Sequence, residues 1–245
     1  MISASDQAAF DHPFSLSSER RNRRGMRVLI VDHGPLAERD ALVDALTLAG
    51  CAVRSVVVSA ARPSAESARH ARFVVCGDSA DADVPIAIPW FERTPETRTV
   101  FADLSDHELN FFRHALRNAV YEEVDAFDPR IVHARQLGIL SHVALESGVP
   151  YVAQVAGPEL SAAAADTRLA RFIDESAENA GRLLVRGEAR MPSMAARYPE
   201  AADRLRLDLL ADAATADPRA WGEWLVSEYR AVLADRFGAS RGGQG

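Results

Sequence analysis

From Met26 onward the chain switches repeatedly between two hydrophobic periods. "MRVLIV" is a continuous apolar run, as a parallel strand buried on both faces requires. Residues 37–49 then carry Leu42, Leu46 and Ala49 at helical spacing and end at Gly50, a good C-cap position. "AVRSVVV" and "RFVVCG" read as a second and a third strand, with "VPIAI" as a short extra strand or edge segment. Between Ser105 and Phe127 the apolar residues Leu109, Phe112, Leu116, Val120 and Val124 recur every three or four positions. Ser105 and Glu108 make a capping box there, and Asp128-Pro129 ends the helix.

The alternation continues through strand "RIVHA", a helix from Leu137 to Glu146, strand "YVAQVA" and a long Ala-rich helix from Pro158 to Asn179. Strand "RLLVR", a short helix from Met191 to Arg197 and strand "RLRLDLL" follow. This order predicts an α/β fold, a single Rossmann-like doubly wound parallel sheet. A last helix, Pro218 to Phe237, has Asp217 as N-cap and a broad apolar stripe that includes Trp221, Trp224, Leu225, Tyr229, Val232 and Leu233. So aromatic a face is expected to pack on the body of the protein. The expected organisation is a disordered leader over residues 1–25, the α/β domain over 26–217, the crossover helix over 218–237 and a disordered tail over 238–245.

Composition narrows the function classes. Of 245 residues, 48% are hydrophobic, enough for a substantial core, and the formal charge of −7 disfavours a broad nucleic-acid footprint. The two cysteines, Cys51 and Cys76, read as buried thiols, not as a disulfide or metal pair. No apolar run approaches the roughly 20 residues of a membrane span, and the amino terminus has no signal-like h-region. A cytoplasmic protein with no membrane span, no nucleic-acid partner, no metal and no cofactor is the expectation.

In an open parallel sheet, ligands bind beyond the carboxyl ends of the strands. The strand exits here offer Asp32, His33, His133, Arg135, Gln154, Gly157, Glu159, Arg186 and Glu188. The first exit, "VDHGPLAERD", lacks the G-x-G-x-x-G that lets a backbone approach a pyrophosphate, and no P-loop occurs. His33 reads as an exposed loop histidine. A weaker alternative pairs it with His133 as an acid-base set at adjacent exits. His133 either orients a hydroxyl or serves as a hydrogen-bonded structural residue. Arg135 and Arg186 either clamp an anion or form ion pairs, and Glu159 falls in a first helical turn, where capping explains it.

The segment "FDPRIVHARQLGILSHVALESGVPYVAQVAGPEL" resembles the acceptor-side half of family-4 glycosyltransferases, which have the GT-B fold. The likeness runs through Val132-His133-Ala134, Gly148-Val149-Pro150-Tyr151, and Gly157 with Glu159-Leu160. "MRVLIV" and "LAGCAVRSVVV" resemble the family's first two strands, and "DPRAWGEWLVSEYRAVLADRFG" its terminal helix. The resemblance covers Met26 to Pro218. It implies a glycosyltransferase-like protein in which His133, Arg135 and Glu159 face the acceptor, while the strand exits add His33, Gln154, Gly157, Arg186 and Glu188 as ligand-cleft candidates.

The departures from the family pattern shape the expected activity. The second, donor-binding domain of a GT-B enzyme has no counterpart in the sequence. The glycine-rich loop after the first strand is replaced by "HGPLAER", and Ala156 stands where the family has a histidine. Two readings follow. In one, the chain accepts a sugar or glycosylated acceptor and depends on a donor-domain protein for the nucleotide sugar. In the other, it is a non-catalytic binding or scaffolding protein, dimeric through the surface that a donor domain would have covered.

Overall fold

The computed structural model describes residues 25–33, 36–62, 70–95, 97, 99–208 and 217–239. The strands are β1 (Arg27–Asp32), β2 (Ala52–Ser59), β3 (Ala71–Val75), a small separate pair β4 (Pro89–Trp90) and β5 (Thr99–Val100), then β6 (Ile131–Ala134), β7 (Tyr151–Val155), β8 (Arg182–Arg186) and β9 (Leu205–Asp208). The helices are α1 (Leu36–Leu48), α2 (Asp106–Phe127), α3 (Ile139–Glu146), α4 (Pro158–Ala165), α5 (Thr167–Asn179), α6 (Met191–Arg197) and α7 (Pro218–Ala239). Seven strands form one parallel sheet in the order β3-β2-β1-β6-β7-β8-β9. This is the expected doubly wound α/β arrangement, and the strand order reverses between β1 and β6.

The continuous apolar runs have a simple cause: both faces of the sheet are covered. Leu29 and Val31 of β1 pack with Phe112 and Leu116 of α2 and Leu140 of α3. Val28 and Ile30 face the other way, against Leu42 and Leu46 of α1 and Leu225 and Tyr229 of α7. The capping box forms at Ser105, and α2 ends at Asp128, whose φ of 48° is left-handed. Arg27 holds that turn by pairing with the Asp128 carboxylate and donating to its carbonyl.

Two expected elements differ. Residues 84–88 do not form a strand; Val84 makes only an isolated bridge to Cys76, and Pro85, with no N–H, cannot extend the ladder. The long Ala-rich helix is two helices. Asp166 is extended, with φ −136° and ψ 114°, and its carboxylate accepts the Arg168 N–H at 2.8 Å. A short acidic side chain thereby ends one helix and caps the next. In "RLRLDLL", Leu209 and Leu210 lie outside the described residues, as do the leader up to residue 24 and the tail from residue 240.

Helix α7 closes one face of the sheet. Asp217 caps it, accepting the Arg219 N–H at 3.0 Å. Trp221, Leu225, Val226, Tyr229 and Val232 are buried, while Trp224 is half-buried. The α1–α7 contact reaches backbone distance at Gly222, where a Cβ would lie 2.0 Å from the Ala45 carbonyl oxygen. Nothing larger than hydrogen fits there. Gly222→Ala is therefore expected to destabilise the protein by about 2–4 kcal/mol, although alanine is the better helix former. Urea unfolding would show a lower midpoint; an unchanged or raised midpoint would contradict this close approach.

Candidate active site

The pleat decides which residues meet at the carboxyl edge of the sheet. Along each strand, alternate side chains share a face. Asp32 continues the row of Val28 and Ile30, Arg135 that of Ile131 and His133, Gln154 that of Val152, and Arg186 that of Leu184. Arg186 is in register with Asp208 of β9. Five polar residues from five neighbouring strand ends thus emerge on the same side, next to the first turn of α1, which contributes Glu38.

These groups form a chain of alternating charge. Arg135 donates to Asp32 at 3.0 Å and to Glu38 at 2.6 Å. Arg186 donates to the same Glu38 oxygen at 2.9 Å and lies 3.7 Å from the Asp208 carboxylate. Gln154 joins the two ends, accepting from Arg135 at 3.4 Å and donating to Asp208. Burial raises the Asp32 pKa, against the pull of Arg135. Burial also pushes Glu38 upward, but Arg186 and Arg135 outweigh it and hold the carboxyl below its usual range. Of the two readings open for Arg135 and Arg186, ion pairing is the one observed.

The polar chain floors a cleft of about 460 Å³ at the switch point. Trp90, which ends β4, and Phe91, which follows it, line it from the opposite face of the sheet, together with His33 and Gln136. Contrary to expectation, His33 is not exposed: it is 4% accessible. Trp90 meets its ring edge-on at 4.8 Å between centroids, with Phe101 at 5.8 Å and Phe112 at 6.4 Å. Burial lowers its pKa to about 4, so the ring is neutral at pH 7. Neither ring nitrogen reaches hydrogen-bonding geometry with a protein group.

His133 does not join it. The odd–even alternation sends His133 to the α7 face, where Nδ1 lies 2.6 Å from the Tyr229 hydroxyl. The proposed His33–His133 acid-base pair is therefore overturned: the rings sit on opposite faces of the sheet, each in its own aromatic packing. His133 is the hydrogen-bonded structural histidine.

Beyond β7, Gly157 has a φ of 117° and starts α4. Glu159 is buried, and its two carboxylate oxygens accept the N–H groups of Ala156 and Gly157 at 3.1 and 2.6 Å. Burial still raises its pKa, because it outweighs these bonds. Glu159 is a cap with both oxygens occupied. The Arg190 side chain lies across Gly157, where a Cβ would come within 2.5 Å of its Nε. Glu188 is exposed in the turn after β8 and does not line the cleft.

Sequence reasoning missed Glu38, Asp208, Trp90, Phe91, Glu92 and Gln136. An aromatic pair directly after Pro89, outside any helical or strand period, was the available signal for the cleft wall. Glu38 was visible as an acid in the first turn of the helix that follows the first strand exit.

No protein-family model matches the sequence, and no curated protein matches it. Among solved structures, the chain is similar to UDP-GlcNAc 2-epimerase from Methanocaldococcus jannaschii, with 7% identity and a TM-score of 0.48, over 75% of this chain and 45% of that one. It is similar also to UDP-GlcNAc 2-epimerase from Neisseria meningitidis bound to UDP-GlcNAc, with 10% identity and a TM-score of 0.45, over 75% and 46% of the two chains. A third is a Glycyrrhiza uralensis UGT complexed with glycyrrhetinic acid 3-O-monoglucuronide, with 11% identity and a TM-score of 0.40, over 83% and 51%. The chain spans about half the length of these structures.

The buried imidazole of His133 makes a pH prediction. Burial first, then the positive charges of Arg135 and Arg186, lower its pKa to about 3. In the unfolded chain it titrates near about 6.5. Below that pH the unfolded state binds a proton that the folded state refuses. Stability present above pH 6.5 is therefore lost as pH falls toward 3, by about 1.4 kcal/mol per pH unit from this residue. His133→Asn can keep the bond to Tyr229 and does not titrate. Urea unfolding from pH 6 to 4 should show wild type losing ground to the variant at that slope; parallel curves would contradict a neutral buried ring.

Proposed function

We propose that the cleft is the acceptor site of a family-4-like glycosyltransferase and that the nucleotide-sugar contacts come from a donor-domain partner. The observation that carries this reading is the composition of the cleft. A Trp90–Phe91 wall suits the apolar face of a sugar ring, and the Asp32–Arg135–Gln154 floor suits its hydroxyls. Both arginines at the strand exits are already bound to carboxylates, so a diphosphate would compete with Glu38 for them. Transfer in such an arrangement is positional and electrostatic, with the partner stabilising the leaving diphosphate.

A second reading, a non-catalytic sugar-binding protein of the same descent, draws on a different observation. Ala156 offers no reactive group, and Glu159 spends both oxygens on backbone N–H groups. The two readings share the saccharide site and part only on whether a donor-side partner, or a second copy of the chain, completes it.

The saccharide site is tested by glycan-array binding of wild type and Trp90→Ala. Loss of the aromatic wall should weaken saccharide binding about tenfold. An array with no bound saccharide would remove both readings. Incubation of the chain alone with nucleotide sugars and the captured saccharide should give no transfer, and turnover by the chain alone would contradict the need for a partner.

A further inference from the structure

The reading of the cleft as a saccharide site leaves open which saccharide, and the charges on its walls bear on that choice. Among the described lining residues, three are acidic, Asp32, Glu38 and Glu92, and two are basic, Arg135 and Arg186. Both guanidiniums in the lining hold carboxylates, Arg135 those of Asp32 and Glu38 and Arg186 that of Glu38, and Arg186 Nε alone is buried without a hydrogen-bond partner. Glu92 is different. It is exposed, follows the Trp90–Phe91 pair directly, and has no ion-pair partner among the described residues.

Among the uncommitted neutral groups, Gln136 points the same way. Gln136 Oε1 is buried without a hydrogen-bond partner and can only accept. His33, buried beside Trp90 with neither ring nitrogen partnered, presents a neutral ring that accepts through one nitrogen and donates through the other. A ligand that satisfies Glu92 and the Gln136 oxygen brings positive charge and an N–H or O–H donor. The Trp90 face adds attraction for a cation held near an aromatic ring. A phosphate or carboxylate would meet Glu92, which has no ion-pair partner among the described residues, and find both guanidiniums already holding carboxylates.

Resting on the saccharide reading, we propose that this cleft selects a sugar bearing a protonated amine, with Glu92 and the Trp90 ring as the ammonium-recognition elements. The amine is recognised at the mouth of the cleft, and the ring hydroxyls at its polar floor. Glu92 is a specificity-determining residue in this scheme and takes no part in bond making.

The test compares three small probes against the full chain by saturation-transfer and chemical-shift NMR at pH 7: D-glucosamine, D-glucose and D-glucose 6-phosphate. Glucosamine should bind about five- to tenfold more tightly than glucose, with glucose 6-phosphate the weakest. Glu92→Gln should weaken glucosamine about fivefold and glucose less than about twofold, and added salt should erode the preference in wild type. Equal binding of glucosamine and glucose, or tighter binding of the phosphate, would overturn the amine selectivity while leaving the saccharide site standing. If no probe binds and the glycan array is also blank, the saccharide reading falls and the selectivity with it.

Discussion

At the carboxyl edge of the sheet two arginines each serve more than one carboxylate, and that edge is organised around them. Arg135 bridges Asp32 and Glu38, Arg186 bridges Glu38 and the Asp208 side, and Gln154 joins Arg135 to Asp208. The series ties β1, β6, β7, β8, β9 and α1 together at that edge. Asp32 and Arg135 are nearly inaccessible, so either charge alone would be costly; only together are they tolerated there. The same pairing sets the chemistry of the cleft, because arginines already bound to carboxylates offer hydrogen-bonding geometry and little attraction for phosphate.

The rest of the architecture supports that edge. Helix α7 fills the face behind it, and its Tyr229 hydroxyl holds His133 directly behind Arg135 in the β6 row. The contact between Gly222 and the Ala45 carbonyl brings α7 down onto α1, the helix that carries Glu38. On the other face, Phe101 and Phe112 pack around His33 and Trp90, so the cleft has an aromatic side and an ionic side separated by the plane of the sheet. A ligand in this cleft meets both surfaces.

Much of the sheet was legible in the sequence because burial on both faces leaves unbroken apolar runs, as in "MRVLIV" and "RLLVR". The capping box at Ser105 and the N-cap Asp217 marked helix ends by side-chain chemistry that needs no tertiary partner. The site was legible only in part. Arg135, Gln154 and Arg186 could be placed at strand exits, but their partners could not, since Glu38 lies 97 residues from Arg135 and Asp208 lies 54 from Gln154. His33 reads as exposed because its immediate neighbours are polar or turn-forming, whereas the rings that bury it come from distant segments at Trp90, Phe101 and Phe112. The break at Asp166 was hidden by the alanines before it, whose helix propensity suits either one helix or two.

The central claim is that Arg135 and Arg186 shape a saccharide cleft while remaining bound to their carboxylates. The most direct measurement is the side-chain Nε–H resonance of each arginine, followed with the Trp90 indole signal, during titration with a saccharide captured by the protein and separately with pyrophosphate. The account predicts that the saccharide shifts the Trp90 indole and that pyrophosphate leaves both arginine signals in place. Arginine signals that move with pyrophosphate, while the indole ignores the saccharide, would contradict it.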